Sequence, residues 1–329
     1  MDTEVSPDGD VVAPKKAAEA VNWPGVVLYI VLTFGLSWTI WLVLRAIGVP
    51  FTIRVAIGMF GPAVAAILVR LIRREGFADA GLRLTGRGRR GAWRIYIAAY
   101  LVPPILIAAS IGFVLLTGVQ HWAYNDNLQA SARAITVALA KQGQTLPAGF
   151  TAEQLAQLNV TVSIVLAFTA GILFNMLFTF GEEFGWRGYL LPRLAPLGGI
   201  KAAIIVGVIW GFWHAPIIVL DSYNYPGHPW SGVLMMALFT IALSMIFTWL
   251  RFRSGSVWPP VLAHAAFNAQ AGFGVLLLSQ ADSLLRAPIG LLGLVPMFAF
   301  AIWLAATGRL KAEPDNLPVP THVEAAMGR

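Results

Sequence analysis

The sequence contains no cysteine, which excludes disulfide bonds, thiolate nucleophiles and cysteine metal sites. It also has little charge. Only 12% of its 329 residues are Asp, Glu, Lys or Arg, against ~25% in soluble proteins. A soluble protein of this length could not cover its surface with so few charges, so an ordinary cytosolic enzyme is excluded. The hydrophobic fraction of 57% excludes a disordered chain and indicates a polytopic membrane protein.

Long uncharged runs predict the membrane spans, because a transmembrane helix needs ~20 mostly apolar residues. The second run is the weakest, since it is short and contains Gly58, Gly61 and Pro62. We predict an all-α fold, a polytopic transmembrane helix bundle of about eight spans. The runs without Asp, Glu, Lys or Arg are 20–44, 55–69, 95–125, 154–181, 202–220, 222–250, 254–281 and 287–308.

Basic residues are distributed unevenly between the two sides of such a bundle. With eight spans, the side that holds both termini carries 18 of the 23 lysines and arginines. The positive-inside rule then predicts an integral protein of the plasma (inner) membrane with both termini in the cytoplasm. The net charge of +7 is attributed to topology and anionic lipid headgroups, so membrane lipids are predicted partners and nucleic acid is not.

The runs divide the chain into six parts. The two tails are rich in proline and charge and are predicted to be disordered. In the outer loop, Thr151 and Gln154 predict a capping box that opens a short helix. The parts are a cytoplasmic tail (1–22), transmembrane helices one to three (23–120), an extracytoplasmic loop with short helices (121–158), spans four to seven (159–282), a final transmembrane helix (283–308) and a cytoplasmic tail (309–329).

Ionisable groups inside apolar runs are candidates for function, because each costs at least ~2.5–3.5 kcal/mol at the centre of a bilayer. Glu182 and Glu183 lie at the end of the fourth run, and Arg187 follows Glu183 by four residues. This spacing predicts an ion pair on one helical face, with Glu182 projecting ~100° away toward a cavity. The alternative interpretation is an interfacial ion pair that ends a span.

Two later apolar runs each contain a histidine. His214 lies in the fifth run, where Gly207 and Gly211 have the small-xxx-small spacing that lets helices approach closely. His264 and Asn268 lie in the seventh run at i and i+4, on one face. Each histidine alone could be an interhelical hydrogen-bonding residue. With the carboxylate pair they form a candidate water-activating site, and the sequence has no HExxH, GxSxG or P-loop motif that competes with it.

These motifs resemble the CAAX protease and bacteriocin-processing family of intramembrane endopeptidases, also called the abortive-infection family. The resemblance covers roughly residues 160–280 and marks 159–282 as the catalytic core. The family pattern has three ordered parts: EExxxR at Glu182, Glu183 and Arg187, FxxxH at His214 with Trp210 in place of Phe, and HxxxN at His264 and Asn268.

The resemblance implies hydrolysis of a peptide bond in a membrane-associated or lipidated, CAAX-like protein or peptide. The family includes type II prenyl endopeptidases, which remove the last three residues of prenylated CAAX proteins. The implied roles are general base for Glu182, holding the water for His214, oxyanion stabilisation for His264 and Asn268, and orientation of the segment for Glu183 and Arg187.

The residues leave the chemistry and the class of function open. Glu182, His214 and His264 could form a three-ligand zinc site with Glu183 as base, and a metal-free scheme is equally compatible. A non-catalytic binding or regulatory protein of the bacteriocin-immunity type would also bury such groups, as would a proton-coupled transporter. A transporter would more often show broken helices in both halves of the chain.

Depth in the membrane limits how these groups can meet. His214 lies 13 residues after Lys201, or ~20 Å into a straight span, whereas Glu182 is expected at a helix end. The groups meet only if the fourth span ends inside the membrane or the fifth begins outside it. We therefore predict a conical, water-filled cavity open to the cytoplasm, with 182–194 as a helix at its rim.

Overall fold

A computed structural model describes residues 20–85 and 91–311 of the chain. These residues form helices and no β-strand, apart from one isolated antiparallel bridge between Trp122 and Leu278. The predicted all-α class is confirmed. Most of the two predicted tails, residues 1–19 and 312–329, and the arginines of 86–90 lie outside the described residues.

The helices follow one another with short connections. A 3-10 turn at Ala78–Ala80 follows α3, and a π-helical segment, Trp186–Leu190, joins α7 to α8. The α-helices of the described residues are α1 (Trp23–Ala46), α2 (Phe51–Gly58), α3 (Gly61–Ile72), α4 (Trp93–Thr117), α5 (Tyr124–Lys141), α6 (Ala152–Phe168), α7 (Ala170–Gly185), α8 (Leu191–Leu194), α9 (Gly199–Trp213), α10 (Ala215–Asp221), α11 (Pro229–Ser254), α12 (Trp258–Gln270), α13 (Phe273–Leu277) and α14 (Leu291–Ala306).

The described part of the chain has six helical segments that are long and apolar enough to cross a membrane, or seven if a bent pair counts as one span. The pair is α6 with the stretch Ala170–Leu197, bent by 54°. The eighth predicted run holds only α14, whose 16 residues reach ~24 Å and fall short of a ~30 Å hydrocarbon core. The six segments are Trp23–Ala46, Phe51–Ile72, Trp93–Thr117, Gly199–Asp221, Pro229–Ser254 and Trp258–Leu277.

The fourth predicted run differs most from expectation. It breaks at Thr169, whose backbone is non-helical (φ −133°, ψ −111°), and then continues as helix through Glu182 to Leu197. The expected helix end at Glu182 is therefore wrong. An uncharged run ends by definition at the first charged residue. A helix can continue past that residue when the charge is paired inside the protein. Residues 182–194 are helical as predicted, and all of them are buried; their place at the rim of a cavity stays a prediction.

The capping box predicted before α6 is present. The Thr151 side chain accepts from the Gln154 backbone N–H at 3.1 Å, and the Gln154 side chain accepts from the Thr151 N–H at 2.8 Å. Two of the backbone donors at the helix start are satisfied in this way. The start of α6 is thus fixed by local sequence alone.

Two glycines of α9 bring this helix against α11, the most buried of the six spans. A Cβ atom added at Gly207 would lie 2.5 Å from the Ile241 Cα, and one added at Gly211 would lie 2.4 Å from the Ala237 Cα. Thr240 donates to the Gly207 carbonyl at 2.8 Å across the same contact. The predicted close approach is present, and it fixes the helix that ends at His214.

Replacing Gly211 with alanine should destabilise the protein by about 1–3 kcal/mol, because the new methyl group would meet backbone that cannot move aside. Chemical unfolding in mixed micelles would measure the change. Gly112→Ala in α4 is the matched control, since a Cβ there meets nothing within 4 Å. Equal effects of the two substitutions would contradict the packing described.

A buried ion cluster holds the segment after α3 against α8. Arg70 Nη1 lies 2.6 Å from Asp79 Oδ1, and Arg193 Nη1 lies 3.0 Å from Asp79 Oδ2. Arg193 also pairs with Glu75. Buried charges need partners of opposite sign to offset their desolvation. The cluster therefore ties three separate stretches of the chain together.

The same end of the bundle supports the π-helical segment Trp186–Leu190. Arg70 Nη2 donates to the Gly188 carbonyl at 2.9 Å, and Arg251 Nε donates to the Arg187 carbonyl at 3.2 Å. A single π turn changes the register of the helix and is often found at functional sites. Arginines from α3 and α11 thus hold the turn that follows Glu182 and Glu183.

Candidate active site

Two adjacent carboxylates lie in the middle of the helical stretch Ala170–Leu197. Glu182 is 2% exposed and Glu183 is fully buried. An ionised carboxylate away from water costs several kcal/mol unless charges or hydrogen-bond donors compensate it. The partners of these two groups therefore define what the site can do.

Glu182 is held by two tryptophans. The indole Nε1 of Trp210 on α9 donates to Glu182 Oε2 at 2.6 Å, and that of Trp186 donates to the same oxygen at 3.5 Å. An indole N–H can only donate, so Oε2 is the accepting atom in both contacts. These bonds leave the second oxygen, Oε1, as the one available to another group.

Glu183 joins two other predicted site residues. Its Oε1 accepts from Arg187 Nη1 at 3.0 Å, the i,i+4 ion pair that the spacing predicts. The same oxygen lies 3.0 Å from His264 Nδ1 on α12. An ionised carboxylate only accepts, so Nδ1 of His264 carries a hydrogen and Nε2 is the ring nitrogen left for another partner.

The Arg187 guanidinium is buried among aromatic rings as well as paired with Glu183. Its Cζ atom lies 4.8 Å from the ring centroid of Trp210 and 5.1 Å from that of Phe247. Desolvated cation–π contacts of this kind are worth up to about 2 kcal/mol. Arg187 thus packs between α7, α9 and α11 and does not reach water.

His214 ends α9 and is half-buried. Its Nδ1 lies 2.9 Å from the Trp210 carbonyl oxygen. A carbonyl only accepts, so Nδ1 carries the hydrogen and Nε2 of the neutral ring keeps its lone pair. The Tyr223 ring stacks over the imidazole with centroids 6.4 Å apart and planes 10° apart.

Asn268 is the predicted site residue that lies outside this network. It follows His264 by one turn of α12, and its side chain is exposed. Glu183, Arg187 and His264 contact one another directly, whereas the contacts of Glu182 and His214 are with residues that the motifs did not assign to the site. Trp210 stands at the first position of FxxxH in place of Phe, and Trp186 lies inside EExxxR; Tyr223 carries no sequence signal.

Glu182, His214 and His264 are the three predicted zinc ligands. Within residues 20–85 and 91–311, no group of three His, Asp or Glu side chains is arranged to hold a metal ion. His264 Nδ1 and His214 Nδ1 are engaged by Glu183 and by a backbone carbonyl. Metal dependence stays a prediction.

The fold and this cluster define a class of protein: a polytopic helical membrane protein with buried carboxylates, histidines and an arginine shared by three of its helices. Residues 157–270, which contain all the predicted site residues, match the family model described as type II CAAX prenyl endopeptidase Rce1-like. This part of the chain is similar to that family, and the resemblance stated from the motifs is confirmed.

A curated relative agrees with this assignment. The chain is 33% identical over 93 residues to CAAX prenyl protease 2 of Methanococcus maripaludis. The match covers 26% of this chain and 34% of the relative, so it spans about a third of that protein's length.

Proposed function

We propose that the protein is an intramembrane endopeptidase that hydrolyses a peptide bond in a membrane-associated or lipidated, CAAX-like protein or peptide. The observation that carries the proposal is Glu182, a buried carboxylate held through one oxygen by two indole donors beside the Glu183–His264 pair. Peptide hydrolysis needs an activated water, an oxyanion stabiliser and a proton for the leaving amine. The cluster contains candidates for each.

In the proposed reaction Glu182 is the general base. Its Oε1 takes a proton from water, and the water oxygen attacks the scissile carbonyl carbon. His214 helps to hold this water, because Nε2 of its neutral ring accepts a hydrogen bond. The proton on Glu182 then passes to the amine nitrogen as the carbon–nitrogen bond breaks.

His264 and Asn268 stabilise the oxyanion in this proposal. A His264 ring that carries both protons donates from Nε2, while the Glu183 carboxylate at Nδ1 offsets its charge. The Asn268 amide, exposed one turn away, supplies a second donor. Removing one oxyanion donor typically costs ~10²–10³ in rate.

We also propose the setting of the reaction. The protein lies in the plasma (inner) membrane with both termini in the cytoplasm, a topology supported by the 18 of 23 basic residues on that side in the eight-span arrangement. Membrane lipids surround the apolar spans, and the substrate is a membrane peptide or lipidated protein.

The activity is tested with protein purified in detergent and two substrates, a farnesylated CAAX peptide and a library of membrane peptides. Wild type should cleave at least one of them. His214→Ala and His264→Ala should each lower kcat/KM by about 10²-fold or more, because each removes a group that acts on the water or the oxyanion. Mass spectrometry of the products would locate the cleaved bond.

Two further arms of this experiment separate the alternatives. Bound metal is measured on the same samples, with and without a chelator. Loss of both activity and stoichiometric metal would establish a metal-dependent enzyme, and activity without metal would establish the glutamate scheme. No cleavage of any substrate by folded wild type would overturn the proposal and favour a binding or regulatory protein.

A further inference from the structure

We propose that Trp210 is the positioning residue of the site, and that its indole N–H orients Glu182 for proton transfer. The inference rests on the proposed endopeptidase function and extends it to a residue outside the family's polar motif positions. In FxxxH the first position supplies an aromatic ring. Here the residue at that position also supplies a hydrogen-bond donor.

Trp210 touches four groups of the site, each through a different part of its structure. The indole N–H donates to Glu182 at 2.6 Å, and the backbone carbonyl accepts from His214 at 2.9 Å. The ring face lies 4.8 Å from the Arg187 Cζ, and the ring meets His264 edge-on at 5.1 Å between centroids. One residue thus sets the positions of the base, both histidines and the buried cation.

The N–H contact has a consequence for the base. Trp210 and Glu182 are both 2% exposed, so water does not compete effectively for the bond. Hydrogen bonds to a charged acceptor are the stronger class. Because the indole fixes Oε2, the carboxylate cannot rotate to present that oxygen. Oε1 remains as the atom that receives the proton from water.

Burial of a tryptophan does not by itself require this bond. Trp213 lies one turn away on the same helix and is 1% exposed, and its Nε1 has no hydrogen-bond partner among the described residues. Trp249 on α11 is likewise buried, and its Nε1 has no partner within the part of the chain that the structure describes. The contact between Trp210 and Glu182 is therefore specific to this position and not a general property of the protein's buried indoles.

Trp210→Phe isolates the role of the N–H, because phenylalanine keeps the backbone carbonyl and an aromatic ring. We expect kcat to fall about 10- to 100-fold, the range for a lost hydrogen bond to a charged group, with KM changed by less than about twofold. The acidic limb of the pH profile of kcat should also shift, because the indole no longer donates to the Glu182 carboxylate. Trp249→Phe is the matched control, since it removes a buried indole that packs on Phe300 away from the site.

A second measurement tests the contact without relying on activity. The chain has 12 tryptophans, and the indole ¹⁵N–¹H signal lost in Trp210→Phe identifies residue 210. This signal should move when Glu182 is replaced with alanine, and the Trp249 signal should stay in place. If the Trp210→Phe protein folds poorly, Trp210→Tyr, which also removes the indole, assigns the signal in its place, and Glu182→Ala keeps both indoles for the comparison.

The outcomes are distinct. The positioning role would be overturned if Trp210→Phe had the wild-type kcat, or if the Trp210 indole signal did not move in Glu182→Ala. The endopeptidase function would still stand. A wild type that cleaves no substrate would overturn the endopeptidase function and the catalytic role of Trp210 with it, whatever the indole signal shows.

Discussion

Replacing Glu182 with glutamine should reduce peptide cleavage by about 10³-fold or more, while the protein stays folded. General base catalysis contributes ~10²–10⁴-fold, and glutamine cannot accept the proton from water. The side-chain amide has the shape of the carboxylate, and its oxygen can still accept from the Trp210 indole. The fall should therefore appear in kcat. Initial rates on the substrate that wild type cleaves would measure it.

The control for this substitution is Glu153→Gln, which removes an exposed carboxylate from the first turn of α6. It should leave the rate unchanged. Activity of Glu182→Gln within about tenfold of wild type would exclude Glu182 as the general base, since that residual rate is too high for a missing base.

Replacing Arg187 with methionine should destabilise the protein by about 3–5 kcal/mol. The substitution leaves the Glu183 carboxylate buried, with His264 at 3.0 Å as its remaining partner. Breaking a buried ion pair from one side is costly because the other charge stays without compensation. Unfolding in mixed micelles, followed by circular dichroism, would give the difference from wild type.

The double variant Glu183→Gln with Arg187→Met tests the physical reason for this loss. It removes both charges and keeps similar volumes, and such replacements are often close to neutral. The double variant should therefore be more stable than Arg187→Met alone. If it is equally unstable or worse, the loss comes from packing against Trp210 and Phe247 and not from the unpaired carboxylate.

Local sequence was sufficient to predict features that depend on residues a turn apart. The Thr151 capping box, the Glu183–Arg187 pair and the close approach at Gly211 all follow from helical spacing, and all are present. The all-α class followed from uncharged runs in the same way. In each of these cases one helix, or one face of it, determines the result.

Features that depend on contacts between helices were not predictable. The end of the uncharged run at Gly181 predicted a helix end at Glu182. The run gives no sign that Trp210 and His264, from other spans, compensate the carboxylates of Glu182 and Glu183. The bond from Trp210 had only one sequence signal, an indole where the family pattern has Phe. The exposed position of Asn268 likewise depends on how α12 is rotated in the bundle.

The spacing of EExxxR has a consequence for how the protein enters the membrane. Glu183 is synthesised 81 residues before His264, and Arg187 is synthesised 64 residues before Arg251. When α7 leaves the ribosome, Trp210, which follows Glu182 by 28 residues, has not yet emerged with α9. Arg187 is then the only one of these partners within reach of Glu183.

The i,i+4 pair therefore acts before the site exists. It neutralises one carboxylate within a single helix, which lowers the cost of transferring that helix from the translocon into lipid. Glu182 enters with no cation of this kind; the Trp186 indole is the donor in its own helical stretch, and the Trp210 indole is added when α9 arrives. Glu183, paired with Arg187, thus matters for membrane insertion, and Glu182 matters for catalysis.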